Sequence, residues 1–166
     1  MTIDFGGNLA ILLLRELTGF ERELGLFPDD ESVWRTAPGL PNAAGNLALH
    51  VAGNLQHYVG AVLGGSGYVR NRDLEFGRRS GPRGDILTEL RAASRVVDSV
   101  LRTLPPSRLE GEYPEHLDGL RLTTDRFLMH LSSHAAFHLG QAGYVRRAVT
   151  GDARSSRPVP LAALTV

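Results

Sequence analysis

Histidines are the residues with most capacity for chemistry in this chain, and five of the six fall in two short stretches. HVAGNLQH, residues 50–57, carries His50 and His57, and MHLSSHAAFH, residues 129–138, carries His130, His134 and His138. Imidazole binds transition metals and exchanges protons near neutral pH. Two clusters of imidazoles in apolar sequence therefore raise the question of a metal site.

The spacing of the second cluster suits chelation. A helix turns about 100° per residue, so His134 and His138 lie about 40° apart and one turn apart. A pair with this spacing can bind one ion, as it does in the helical H-E-x-x-H motif. His50, on a facing helix, is the natural third ligand, and three imidazoles would leave a coordination position open. The pattern HxxxH is weak by itself, because helix histidines also cap apolar surface or bind backbone carbonyls. The apolar neighbours favour a metal, since desolvated imidazoles need partners.

Several other kinds of site are excluded. The chain has no cysteine, so disulfides, protein thiolates and cysteine-held metals are absent. A di-iron carboxylate site needs Glu-x-x-His pairs, but Leu47, Leu131 and Ala135 stand three residues before His50, His134 and His138. No GxSxG elbow is present. The GGSG run at 64–67 follows a helix and lacks the lysine of a phosphate-binding loop.

The composition is that of a globular protein, with 42% hydrophobic and 22% charged residues in a chain of 166. Lysine and arginine equal aspartate and glutamate at 18 each, so nucleic acid and anionic membranes are not predicted partners. The apolar run near the N-terminus is short and soon meets charged residues, which predicts neither a signal peptide nor a membrane span. We therefore expect a cytoplasmic protein.

Four stretches have helical periodicity: residues 8–24, about 43–63, 85–104, and 123 or 124 to about 149. Asn42 and Asp85 are candidate N-caps, and Gly151 is a candidate C-cap. The pattern predicts a single all-α domain over 1–166, a four-helix bundle with long crossover loops. We also expect a helical turn near 30–34 with Trp34 as a core anchor, an irregular segment with a short strand over 107–122, and an extended tail over 152–166.

Three motifs in order along the chain resemble the DinB/YfiT-like superfamily: HVAGN (50–54), RNRDLEF (70–76) and HLSSHAAFHLGQ (130–141). The resemblance spans nearly the whole chain. It implies a bundle with up-down-down-up topology, often dimeric, and a three-histidine site for a divalent metal such as zinc or nickel. Carried over to this chain, the ligands are His50, His134 and His138.

The resemblance also suggests a reaction. Characterised members include thiol transferases that use bacillithiol or mycothiol, and a mycothiol-dependent maleylpyruvate isomerase. A metal-bound thiol ionises readily, so a chain without cysteine could use a low-molecular-weight thiol as its nucleophile. Many relatives read HEAHHxGQ where this chain has HAAFHLGQ, so Ala135 and Phe137 replace residues that could act as a base. We expect a metal-dependent transferase acting on a small molecule. A metal-dependent hydrolase or a non-catalytic, ligand-binding stress-response bundle are the alternatives.

Five more residues are candidates for contact with the substrate or with the ligands: Asn54, His57, His130, Gln141 and Arg72. Asn54 lies one turn after His50, and it either holds a substrate or makes a hydrogen bond within the helix. Gln141, three residues after His138, could orient that ligand. An arginine at 70 or 72 could meet an anionic cofactor, or could pair with Asp73 or Glu75 in a structural ion pair.

Overall fold

The computed structural model describes residues 4–116, 119–157 and 160–164, and these residues are predominantly helical. The helices are α1 (Phe5–Gly25), α2 (Ala44–Leu55), α3 (Arg72–Gly77), α4 (Arg83–Leu101), α5 (Pro106–Glu110) and α6 (Thr124–Thr150). A π-helix (Gln56–Leu63) continues α2, and 3₁₀ turns cover Ser32–Trp34 and Leu161–Leu164. The predicted all-α class is confirmed.

The four periodic stretches all form helices, but some of their ends differ from prediction. The residue before α2 is Ala43 rather than Asn42, and its backbone N–H donates to the side chain of Asn46. Helix α4 begins after Pro82, so Asp85 lies in its first turn instead of capping it. Gly151 does end α6 in the left-handed conformation, with a φ of 69°.

Two segments carry helices that periodicity did not indicate. The arginine-rich stretch after α2, which reads as a solvated loop, contains α3, capped by Asn71 through a hydrogen bond from the backbone N–H of Leu74. Helix α5 occupies part of the segment expected to be irregular. The short strand expected over 107–122 reduces to one antiparallel bridge between Glu112 and Thr123. Positions 117–118, and 158–159 and 165–166 of the expected tail, lie outside the described residues.

The long helices share one hydrophobic core. Helix α1 packs against α4 and α6, and α2 packs against the same two helices. Helical periodicity places one apolar stripe of each long helix inside this core. Its fully buried members include Leu13, Leu17, Phe20, Ala48, Leu55, Ile86, Leu90, Val97, Leu101 and Leu128. None of the described helices is both long enough and apolar enough to cross a bilayer.

The connections are tied to the helices at defined points. Trp34 is buried as predicted, and its indole N–H donates to the carbonyl of Gly81 at 2.8 Å. At the end of α6, the fully buried guanidinium of Arg146 pairs with Glu23 of α1. The same guanidinium donates to the backbone carbonyls of Asp152 and Arg154. This arginine therefore fixes the beginning of the C-terminal segment to the helical core.

Candidate metal centre

His50 of α2 and His134 and His138 of α6 converge on one point. The Nε2 atom of His134 lies 3.3 Å from Nε2 of His50 and 3.1 Å from Nε2 of His138. Within the described part of the chain, these three form the group of potential ligands that could hold a metal ion. Nitrogens bound about 2.0–2.1 Å from a tetrahedral cation lie roughly 3.3 Å apart, so the donor set fits such an ion.

The outer nitrogens of two of these rings face hydrogen-bond acceptors. Nδ1 of His50 lies 3.0 Å from Oε2 of Glu75, and Nδ1 of His138 lies 2.7 Å from Oε1 of Gln141. Nη2 of Arg70 also lies 3.1 Å from Nδ1 of His50, but this group donates to Oε2 of Glu75 at 2.8 Å. The acceptors for a proton on Nδ1 are therefore Glu75 for His50 and Gln141 for His138, and this tautomer leaves the Nε2 atoms of both rings with lone pairs. Both lone pairs face Nε2 of His134, whose single N–H in the neutral form could satisfy only one of them. A cation at the centre would satisfy all three nitrogens.

Burial favours the neutral form of the His134 and His138 imidazoles by lowering the pKa of each. Desolvation lowers the pKa of His134 to about 4, and charge repulsion from His138 and His50 contributes to the shift. Desolvation also lowers the pKa of His138, although its hydrogen bond to Gln141 acts in the opposite direction. Neutral imidazole is the form that binds a metal, so these two rings are available as ligands near pH 7 without losing a proton.

Helix α3 carries the carboxylate that orients His50. Glu75 is only 5% exposed, and Oε1 and Oε2 both accept hydrogen bonds from Arg70, each at 2.8 Å. Burial alone would raise the pKa of Glu75, but the hydrogen bonds from Arg70 and His50 outweigh it and lower the pKa. The carboxylate therefore stays ionised and can accept a hydrogen bond from the Nδ1–H group of His50. Of the two alternatives for an arginine of this segment, the structural ion pair is present between Arg70 and Glu75, and the same carboxylate contacts His50.

Asn46 and Gly53 of α2 position α3. The side-chain amide of Asn46 donates to the carbonyls of Glu75 and Arg78, each at 2.9 Å, which ties the C-terminal part of α3 to α2. Gly53 faces the carboxylate so closely that a Cβ there would stand 2.2 Å from Oε1 of Glu75. The glycine of the motif is thus required by the position of the carboxylate.

Aromatic rings line the centre. The ring of Phe76 packs against His50 with centroids 4.7 Å apart, and Phe137 packs against His138 at 5.4 Å. Phe137 is nevertheless a largely exposed side chain. The rings of α3 and α6 thus border the three imidazoles with apolar surface.

The other predicted site residues lie around this centre. The side-chain oxygen of Gln141 lies 2.7 Å from Nδ1 of His138, which is the contact through which Gln141 could orient this ring. Asn54 is buried one turn beyond His50, and its side chain forms no hydrogen bond to the described residues. The ring of His130 lies 5.9 Å from that of His134 and stacks on Phe127.

His57 and Arg72 contact residues other than the three converging histidines. Nε2 of His57 pairs with Glu115 at 3.0 Å, and both side chains are partly exposed. Arg72 is exposed, with its guanidinium 5.5 Å from the ring centroid of Phe76. Substrate contact by Asn54, His57, His130 or Arg72 stays a prediction.

The role of Glu75 toward His50 was not predicted from sequence. The signal was present in two places: an acidic residue in the RNRDLEF block, and a glycine three residues after the proposed ligand. Neither pattern could indicate which carboxylate would meet which imidazole.

Comparison with known proteins leaves the family open. No family model, curated protein or solved structure matches the chain. The resemblance to the DinB/YfiT-like superfamily therefore stays a prediction that depends on the three sequence motifs.

Proposed function

We propose that this chain is a metal-dependent enzyme that transfers a low-molecular-weight thiol to a small electrophile. The convergence of three Nε2 atoms carries the proposal, because the lone pairs of His50 and His138 are directed inward by acceptors at their outer nitrogens. Three protein ligands leave a position for an outside molecule, the arrangement that distinguishes catalytic from structural sites. Imidazole ligands suit zinc and nickel, which are the ions we propose.

The surroundings of the centre favour a borrowed thiol over water as the nucleophile. A bound divalent cation would stabilise the ionised form of a coordinated thiol. A carboxylate base beside the centre would assist the attack of a metal-activated water, and the carboxylate in contact with a ligand ring is Glu75. Both of its oxygens accept hydrogen bonds from Arg70, and Oε2 also faces His50. This carboxylate orients a ligand and is not available to remove a proton from water. Bacillithiol and mycothiol are the candidate thiols that the motif resemblance suggests.

Contacts along the helices support the proposed up-down-down-up bundle. Arg91 of α4 pairs with Glu21 of α1, while Arg83, at the start of α4, donates to carbonyls just after α1 ends. These contacts suit an antiparallel α1–α4 pair. Glu23 pairs with Arg146 and Gly19 faces Leu139, which suits a parallel α1–α6 pair. His50 meets His134 and His138 while Tyr58 meets Phe127, so α2 and α6 would be antiparallel.

The proposal is tested by metal content and thiol consumption. Protein purified without a histidine tag should contain about one divalent ion per chain by elemental analysis. With zinc or nickel restored after chelation, it should accelerate the loss of a thiol in the presence of 1-chloro-2,4-dinitrobenzene, and the stripped protein should not. Bacillithiol, mycothiol, glutathione and cysteine should be compared as thiols.

Variants make the test specific. His134→Ala should lose both the metal and the rate, whereas His116→Ala, which alters an exposed histidine paired with Glu112, should keep both. Stoichiometric metal in His134→Ala would contradict the ligand set. A metal-loaded protein that consumes none of the four thiols above background would contradict thiol transfer, and ester hydrolysis by the same sample would indicate a hydrolase instead.

A further inference from the structure

A small apolar cavity lies between the beginning of α2 and the end of α6. Its volume is about 150 Å³. Leu47 of α2 and Val145 of α6 are the buried residues of its lining, and Leu40, Pro41 and Tyr144 contribute exposed apolar surface. No charged side chain lines it among the described residues.

This cavity and the histidine centre share a residue. Gln141 lines the cavity, and its side-chain oxygen accepts the hydrogen bond from Nδ1 of His138. Leu47 stands three residues before His50, and Gln141 stands three residues after His138. Three residues are nearly one helical turn, so the cavity lies one turn from the ligands on both helices.

We propose that this cavity receives the apolar group of a small molecule whose polar head binds the metal ion. The inference rests on the metal-binding part of the proposed function and adds a preference for one class of substrate: molecules that carry a compact alkyl or aryl group. A cavity of about 150 Å³ can hold a benzene ring. The polar side chains of the lining, those of Asn42, Gln141 and Tyr144, are uncharged, so a charged group would lose its hydration there without gaining a counter-ion.

The walls of the cavity suit this occupant. Leu40 is 38% exposed and Tyr144 is 77% exposed, although both carry large apolar surfaces. A ring inserted between them would cover that surface together with the buried floor of Leu47 and Val145. Such binding is driven by the burial of apolar surface on both the ring and the cavity lining.

The experiment compares two metal-binding probes that differ in their apolar group. Protein loaded with cobalt(II) is titrated with acetohydroxamate and with benzohydroxamate, and the change in the cobalt absorption gives each Kd. Free cobalt(II) titrated with the same probes supplies the intrinsic difference between the head groups. We expect the protein to favour benzohydroxamate about tenfold beyond that difference, because part of the phenyl ring leaves water.

Exposed wall residues allow a test that does not depend on core substitutions. Leu40→Ala and Tyr144→Ala should each reduce the preference for benzohydroxamate about threefold or more, with the Kd of acetohydroxamate unchanged. Met129→Ala is the matched control, because Met129 is an exposed apolar residue of α6 that does not line the cavity. It should keep the full preference.

The outcomes separate this inference from the proposed function. Failure of the protein to bind cobalt at the histidines would overturn the metal centre, and the inference with it. Cobalt binding with equal corrected affinity for both probes would overturn the inference alone. A preference that persists in both wall variants would also overturn it, since the phenyl ring would then lie elsewhere.

Discussion

The carboxylate of Glu75 accepts a hydrogen bond from Nδ1 of His50 at 3.0 Å, although 25 residues separate them in the chain. Both side chains are buried, at 5% and 6% exposure. The contact selects the tautomer whose Nε2 lone pair faces the α6 histidines. A partner of this kind also fixes the plane of a ligand ring and increases its basicity. Helix α3 is thus part of the candidate metal centre, although it contributes none of the three converging histidines.

Replacement of Glu75 by glutamine should weaken metal binding. The amide is a poorer acceptor than the carboxylate and leaves Arg70 without its counter-ion. We expect the zinc dissociation constant, measured by competition with a chromophoric chelator, to rise about 10- to 100-fold. Glu31→Gln, at an exposed carboxylate of the first loop, is the matched control and should leave the constant unchanged.

A methyl group at Gly53 should also weaken metal binding, here through a steric clash with Glu75. The new Cβ would stand 2.2 Å from Oε1 of Glu75, so the carboxylate must move from its position between Arg70 and His50. We expect Gly53→Ala to bind zinc at least about tenfold more weakly. Gly140→Ala is a suitable control because a Cβ at Gly140 meets nothing within 4 Å. Equal zinc affinities in the two variants would show that the position of Glu75 does not matter to the site.

Alanine substitutions should distinguish the three ligands from the neighbouring histidines. His50→Ala and His138→Ala each remove one of three nitrogens and should abolish stoichiometric metal binding. His57→Ala and His130→Ala should retain one ion per chain, because neither residue belongs to the converging group. Elemental analysis of tag-free protein after gel filtration provides the measurement. Loss of metal from His130→Ala would place this residue among the ligands.

The buried pair between Arg146 and Glu23 predicts a large effect on stability. Arg146→Ala removes the cation and leaves a carboxylate that is only 3% exposed without its partner. We expect the free energy of unfolding, measured by urea denaturation, to fall by about 3–5 kcal/mol. The double replacement Arg146→Met with Glu23→Leu should be less destabilising than Arg146→Ala, because it leaves no unpaired buried charge. A larger loss in the double variant would show that the hydrogen bonds of Arg146 to the C-terminal segment dominate.

Local sequence patterns predicted the parts of this molecule that depend on local physics. Helical periodicity found the four long helices because each buries one apolar stripe, and Gly151 marked the end of α6 because glycine readily adopts a positive φ. The closeness of His134 and His138 on α6 followed from their spacing of four residues. Adding His50 required the further assumption that two helices face each other, and the structure brings the three rings close enough to bind one ion.

Other parts depend on tertiary contacts that no local pattern records. Helix α3 has six residues, and its polar sequence contains no long apolar stripe. It is held by the hydrogen bond from Asn46 to the carbonyl of Glu75 and by the contact between Glu75 and His50, and both join segments far apart in sequence. The change from α2 to a π-helix at Gln56 likewise has no signal in the periodicity. His57 lies in this π-helix and not in α2.

The contacts of Arg146 with Glu23 and with the C-terminal segment have a practical consequence for the design of shortened proteins. Its guanidinium is fully buried and relies on backbone oxygens at positions 152 and 154. A stop codon placed directly after α6 would remove both carbonyl acceptors, and the Nη1 and Nη2 N–H groups of Arg146 would then be buried without hydrogen-bond partners. Truncations intended to remove the C-terminal segment should therefore retain the sequence through Arg154, or replace the arginine and its glutamate together.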